Sequence, residues 1–176
     1  INMGVLGTIL YNMKNMKKAK KIRAMGKEQI LSLDDERFFD AINCVCEDAV
    51  FDINEPRISK EQKLLYSLIE FEMEVNNGGL CQFFVNSSRE CAPYISDALN
   101  EIGATDLRKL YDSFISDNKI DVNDLSSFIT YDVEEYQAQT ERFDFDSFDD
   151  KFYEYENLHQ QIIEYARKNI EAILKQ

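Results

Sequence analysis

Apolar residues recur three and four positions apart along most of the chain, and no stretch alternates with the two-residue period of a strand, so the pattern predicts an all-α protein. A first helix is expected over about 3 to 25, with Val5, Leu6, Ile9, Met13 and Met16 on one face. A second runs about 34 to 50, where Phe38, Phe39, Ile42, Val45, Cys46 and Ala49 make a core stripe. "DINEPR" breaks it. Ser59 and Gln62 form a capping box, and Leu64, Leu65, Leu68, Ile69 and Phe71 follow as a buried face to about Val75. "NNGG" at 76 to 79 is expected to end that helix in a tight turn, since asparagine and glycine tolerate left-handed backbone.

Beyond the turn, Phe83, Phe84 and Val85 should plug the core, and Pro93 suits the first turn of a helix that stops at Gly103. Leu107, Leu110, Tyr111 and Phe114 mark a helix over 105 to 117, and a shorter one is expected over 122 to 130. Phe148, Phe152, Tyr155, Leu158, Ile162, Tyr165 or Ala166, Ile170 and Ile173 predict one long closing helix from a Ser147 cap. The expectation is a single compact helical domain of about six to seven helices that carries an N-terminal basic amphipathic helix.

Composition then divides the chain. Residues 1 to 33 carry seven Lys/Arg against Glu28 alone, whereas residues 34 to 176 carry 13 basic and 32 acidic side chains. The organisation expected is thus a basic arm, 1–33, and an acidic helical domain, 34–176. An acidic body repels phosphate backbones and acidic lipid, so direct nucleic-acid binding is not expected, while a basic protein is attracted in a salt-sensitive way. The arm could fold on the body, pair two copies into a homodimer, or lie on a membrane surface. The apolar opening is too short to span a bilayer and its charges follow the apolar stretch, so neither a membrane span nor export is expected. Four cysteines without a secreted-framework spacing point to a reducing cytoplasm.

Candidate chemistry is thin. "ENLH", Glu156 to His159, has the Glu-x-x-His spacing of di-iron bundles, but such a site needs two copies and the chain has one histidine. "DNKIDVNDL" echoes half of a calcium loop, yet puts Asn118 where the sharp turn needs glycine. A nucleophilic pair would have to use His159, in the middle of an amphipathic helix. No catalytic residue, metal ligand or cofactor is assigned. A carboxylate-cluster hydrolase or metal-dependent enzyme, with a pocket lined by Glu70, Glu74 and Asn77, is the alternative.

The stretch "EMEVNNGGLCQFFVNSS", Glu72 to Ser88, resembles the signature of the DNA-mimic protein family, small acidic bacterial helical proteins. "APYISDALNEIGA" and the closing segment are similar as well, which extends the resemblance over about 34 to 175. Glu74, Asn76, Asn77, Gly78, Gly79, Gln82, Phe83, Phe84 and Asn86 match that motif. Their physics reads as architectural, with a binding cleft as the other reading. The resemblance implies a protein that occupies the DNA-binding face of a basic partner such as a transcription factor. Immunity to a basic nuclease toxin is a related alternative.

The expected surface lies in "FDFDSFDDKFYEYE", residues 143 to 156, where six carboxylates alternate with six aromatic rings. Acids at i, i+4 and i+8 of a helix form a row spaced ~6 Å apart, and Asp146, Asp150 and Glu154 have that spacing. Asp149 and Glu156 would form a second row. Upstream, Asp132, Glu134, Glu135, Glu141 and Asp144 would add charge. Rings on the inner face are expected to fix the helix so that the carboxylates stand at defined places.

Overall fold

The structure, a computed structural model, describes residues 5–50, 53 and 56–175, and side chains from Lys14 onward. The chain is all-α, and no strand occurs among the described residues. The apolar positions Val5, Leu6, Ile9 and Met13 and half of "DINEPR" lie outside the described side chains. Two compact units are present, residues 1–66 with 163–176, and residues 67–162.

In the first unit α1 (Val5–Met25) lies along α3 (Asp35–Ala49), with the short α2 (Lys27–Leu31) between them in sequence. The basic arm is thus part of a packed unit. Ala19 and Ile22 of α1 are buried, Arg23 pairs with Asp48, and Asn15 donates to Glu47 at 3.0 Å. Asp34 caps α3 by accepting from the Arg37 amide at 3.0 Å, and Phe38, Ala41, Ile42, Val45 and Cys46 face inward. The capping box forms as expected: the Gln62 amide donates to Ser59 Oγ at 3.1 Å, and the Ser59 amide to Gln62 Oε1 at 3.0 Å.

α9 (Leu158–Lys168) and α10 (Ile170–Ile173) bring the chain back to this unit. Arg167 lies 4.1 Å over the Phe38 ring and donates to the carbonyls of Leu31 and Leu33 at 3.0 and 2.9 Å. It also reaches Asp35 at 2.8 Å. Gln62 Nε2 donates to the Ile173 and Lys175 carbonyls at 2.9 and 2.8 Å, which satisfies acceptors left over where a helix stops.

The second unit holds most of α4 (Lys60–Val85), which is two helical segments joined where the "NNGG" turn was expected. Asn76 and Asn77 stay helical; the chain then kinks at Gly78 (φ −161°) and Gly79 (φ 78°) and winds on to Val85. Sharp helix kinks fall at glycine pairs, and Gly79 takes the left-handed backbone at little steric cost. The Phe83 and Phe84 rings are fully buried, and Val85 is half-buried. A 3-10 turn (Ser87–Cys91) leads to α5 (Ala92–Glu101), ended by Gly103 at φ 78°, and then α6 (Thr105–Asp117). Phe71 meets Phe83, Tyr111 and Phe152 edge-on at 5.3, 5.7 and 5.6 Å, and this aromatic cluster is the heart of the unit.

Three expectations are corrected. The helix expected over 122–130 is only a 3-10 turn, Ser126–Phe128, since Asp121 and Asp124 bond to nearby backbone amides instead. A helix not foreseen, α7 (Val133–Thr140), follows. The long closing helix is three pieces, because the run Glu154 to Asn157 turns between α8 (Phe145–Tyr153) and α9. The apolar period reads through the break, so periodicity alone could not reveal it. The cap of α8 is Asp144, which accepts from the Ser147 amide at 3.2 Å, and not Ser147.

Candidate functional site

The carboxylates of 132–156 fall into three groups. Asp132 caps α7 by accepting from the Glu135 amide at 2.8 Å, and Glu135 reaches back to the Tyr131 amide at 2.7 Å, a reciprocal box that fixes the start of the helix. Asp144 does the same for α8. These three acids hold local structure at the surface. Glu134, Glu141, Asp146, Asp150, Glu154 and Glu156 are simply exposed.

The inner face of α8 explains why its outer face is fixed. Phe145, Phe148 and Phe152 are buried, and Phe114 packs against Phe145 and Phe148 with centroids 5.3 and 5.5 Å apart. Asp146 and Asp150 therefore stand outward one turn apart, with Glu154 at the C-cap. The expected second row does not exist. Glu156 sits in the turn after α8, and Asp149 points inward, where its Oδ1 accepts from the Leu80 amide at 2.9 Å.

Asp149 is half-buried, and burial pushes its pKa up, opposed by the Leu80 amide and reinforced by the neighbouring Asp146 and Asp150. Its other oxygen lies where a Cβ on Gly79 would stand, 2.1 Å away. The acid is thus the clasp of the α4 kink. Tyr153 Oη donates to the Val75 carbonyl at 2.8 Å just before the kink and completes the attachment of α8 to α4.

The remaining motif residues build the same corner. Glu74 Oε2 accepts from Gln82 Nε2 at 2.7 Å and from Asn86 Nδ2 at 2.9 Å, linking the helix before the kink to the helix after it. A Cβ on Gly78 would lie 2.1 Å from Gln82 Oε1, so the glycine admits that amide. Asn76 and Asn77 are exposed. Glu72 is buried, which raises its pKa, while a 3.0 Å contact with His159 Nδ1 lowers it in part. "ENLH" therefore does not act as a pair: His159 turns to Glu72, and Glu156 lies in the turn.

Sequence reasoning missed the ledge beside these acids. No residue of α7 is buried, and Ile129, Tyr131 and Val133 are 39, 87 and 76% exposed. Arg142 pins the base of this ledge: its guanidinium sits 5.1 and 4.9 Å from the Phe128 and Phe143 rings and 3.1 Å from Ser127 Oγ. The signal available was the loss of helical apolar spacing between Phe128 and Phe143. Among the described residues, no three His, Cys, Asp or Glu side chains are arranged to hold a metal ion. No helix among them is long and apolar enough to cross a membrane. All four cysteines are free and buried, and burial holds the Cys46 and Cys91 thiols up at about 12.

A kinked central helix, an aromatic core and a carboxylate-rich outer face define a small acidic helical protein. The model of the DMP19-like protein family matches residues 56–169, so the chain belongs to that family. No curated protein and no solved structure matches it. This replaces the resemblance to the DNA-mimic protein family. Gly78, Gly79, Phe83 and Phe84 answer to a kink and a core, so such strings report a helical architecture and carry no partner with them.

Proposed function

We propose that the protein is a non-catalytic acidic binding protein, which presents the carboxylates of 132–156 to the nucleic-acid-binding face of a basic partner. The observation that carries this reading is α7 with its flanks. An eight-residue helix with no buried residue opens on exposed Val133 just after exposed Tyr131, ringed by Asp132, Glu134 and Glu135. Aromatic and aliphatic anchors inside a charged rim are the anatomy of a protein interface. The α8 carboxylates extend that rim at the ~6 Å repeat of successive helical turns, against duplex DNA with one charge per ~3.4 Å on each strand. In this reading the partner's lysines and arginines meet carboxylates where they otherwise meet phosphates, and no covalent step occurs. The four free cysteines suit a cytoplasmic site of action.

The test is capture at low salt from the native cell with immobilised protein, followed by elution with rising salt and identification of what leaves. Asp146→Asn, Asp150→Asn and Glu154→Gln combined should weaken the captured complex and flatten its salt dependence, with the circular dichroism unchanged. Affinity unaltered in that triple variant overturns the assigned surface. A captured nuclease rather than a transcription regulator would select the immunity form of the same reading.

A further inference from the structure

We propose that the lysine face of α1 docks on the carboxylate face of α8 in a second copy of the chain, in a salt-sensitive self-association that covers part of the acidic surface. Lys14, Lys17, Lys18 and Lys21 stand at i, i+3, i+4 and i+7 and so share one face of α1. All four are exposed and border a hollow of about 500 Å³. The buried positions of that helix, Ala19 and Ile22, lie on a different side, towards α3. None of the four lysines forms an ion pair with a described residue.

The occupant follows from charge and spacing. Lys14 to Lys18 and Lys17 to Lys21 each span one turn plus a fraction, ~6 Å along the axis, and Asp146 to Asp150 to Glu154 repeats at the same ~6 Å. Two helices of equal rise keep such rows in register over successive rungs. A lipid or nucleic-acid phosphate surface has no such match to the whole molecule, because the formal net charge is −13 and the body repels it. A second copy brings the complementary row with it. The two faces differ, so the contact is heterologous, and the pair retains one unused lysine face on one copy and one unused carboxylate face on the other. The carboxylates are those of the proposed function, but the inference does not depend on any foreign partner.

Sedimentation velocity on the full chain over a wide concentration range tests it. The average mass should climb with concentration at low salt and return to the single-chain value at raised salt. The combined Lys14→Gln, Lys17→Gln, Lys18→Gln, Lys21→Gln variant, and separately the Asp146→Asn, Asp150→Asn, Glu154→Gln variant, should each need about tenfold more protein to associate. A chain with those four lysines changed to Glu and a chain with those three acids changed to Lys should each stay single and associate when mixed. A single-chain mass for the unaltered protein at low salt overturns the proposal. So does a lysine variant that associates normally, or a reversed pair that ignores each other. Lysine-dependent sedimentation with phosphatidylglycerol vesicles, without self-association, would assign the face to lipid instead.

Discussion

Gly79→Ala isolates the clasp at the α4 kink. The backbone there has φ 78° and ψ 178°, a region held almost only by glycine, and a side chain costs about 1–3 kcal/mol in it. A Cβ would also stand 2.1 Å from Asp149 Oδ2. The carboxylate must swing away, losing its bond to the Leu80 amide, worth about 1 kcal/mol for a half-exposed group. The expected loss is roughly 2–4 kcal/mol, or about 5–15 °C in Tm. Gly26→Ala is the built-in control, since Gly26 has nearly the same backbone, φ 80° and ψ 159°, with nothing within 4 Å of a Cβ. It should show the backbone cost alone. Urea and thermal unfolding followed by circular dichroism measure both variants, and Asp149→Ala closes a double-mutant cycle with Gly79→Ala. The paired loss should fall short of the sum by about 1 kcal/mol, because the obstructing carboxylate is already gone. Strict additivity, or a Gly79→Ala loss no larger than that of Gly26→Ala, refutes the clasp.

Deleting residues 1–28 should lower thermal stability, because it strips Ala19, Ile22 and the Arg23–Asp48 pair from α3; an unchanged melting curve would deny that α1 is structural. Ser59→Ala should cost about 1 kcal/mol in urea unfolding through loss of the α4 cap. Glu72 has its folded pKa raised by burial, so stability is fully present below the unfolded value and is lost as pH rises through the folded one. Glu72→Gln should remove that decline from the stability profile, and His159→Ala should push the Glu72 midpoint higher still in a carboxyl NMR titration. Arg142→Ala should unpin the base of α7 and raise amide exchange over Val133–Thr140, leaving α5 and α6 protected.

Helix content was legible because periodic apolar residues report which face is buried, as in α3 and α6. The Ser59–Gln62 box was legible too, since both partners are adjacent in sequence. Periodicity says nothing about where a helix pauses, and this is why the turn at Glu154–Asn157 went unseen, whereas the asparagine and glycine run announced the break in α4. The outward positions of Asp146 and Asp150 followed from the rings at 145, 148 and 152. Asp149 did not, because its burial is set by an amide 69 residues earlier, which no local pattern encodes. The exposed Tyr131 and Val133 were hidden for the opposite reason: a surface hydrophobe reads in sequence like a core one.

Arg167 has a consequence for the order of events during synthesis. Its guanidinium roofs the Phe38 ring, yet a ribosome delivers it long after Phe38, about 6 to 26 s later at ~5–20 residues per second. The first unit must therefore wait, half-covered, while residues 67–162 have already emerged and can collapse on their own aromatic centre. A nascent chain stalled before residue 163 should present that unroofed phenylalanine to chaperones, and release should end the exposure.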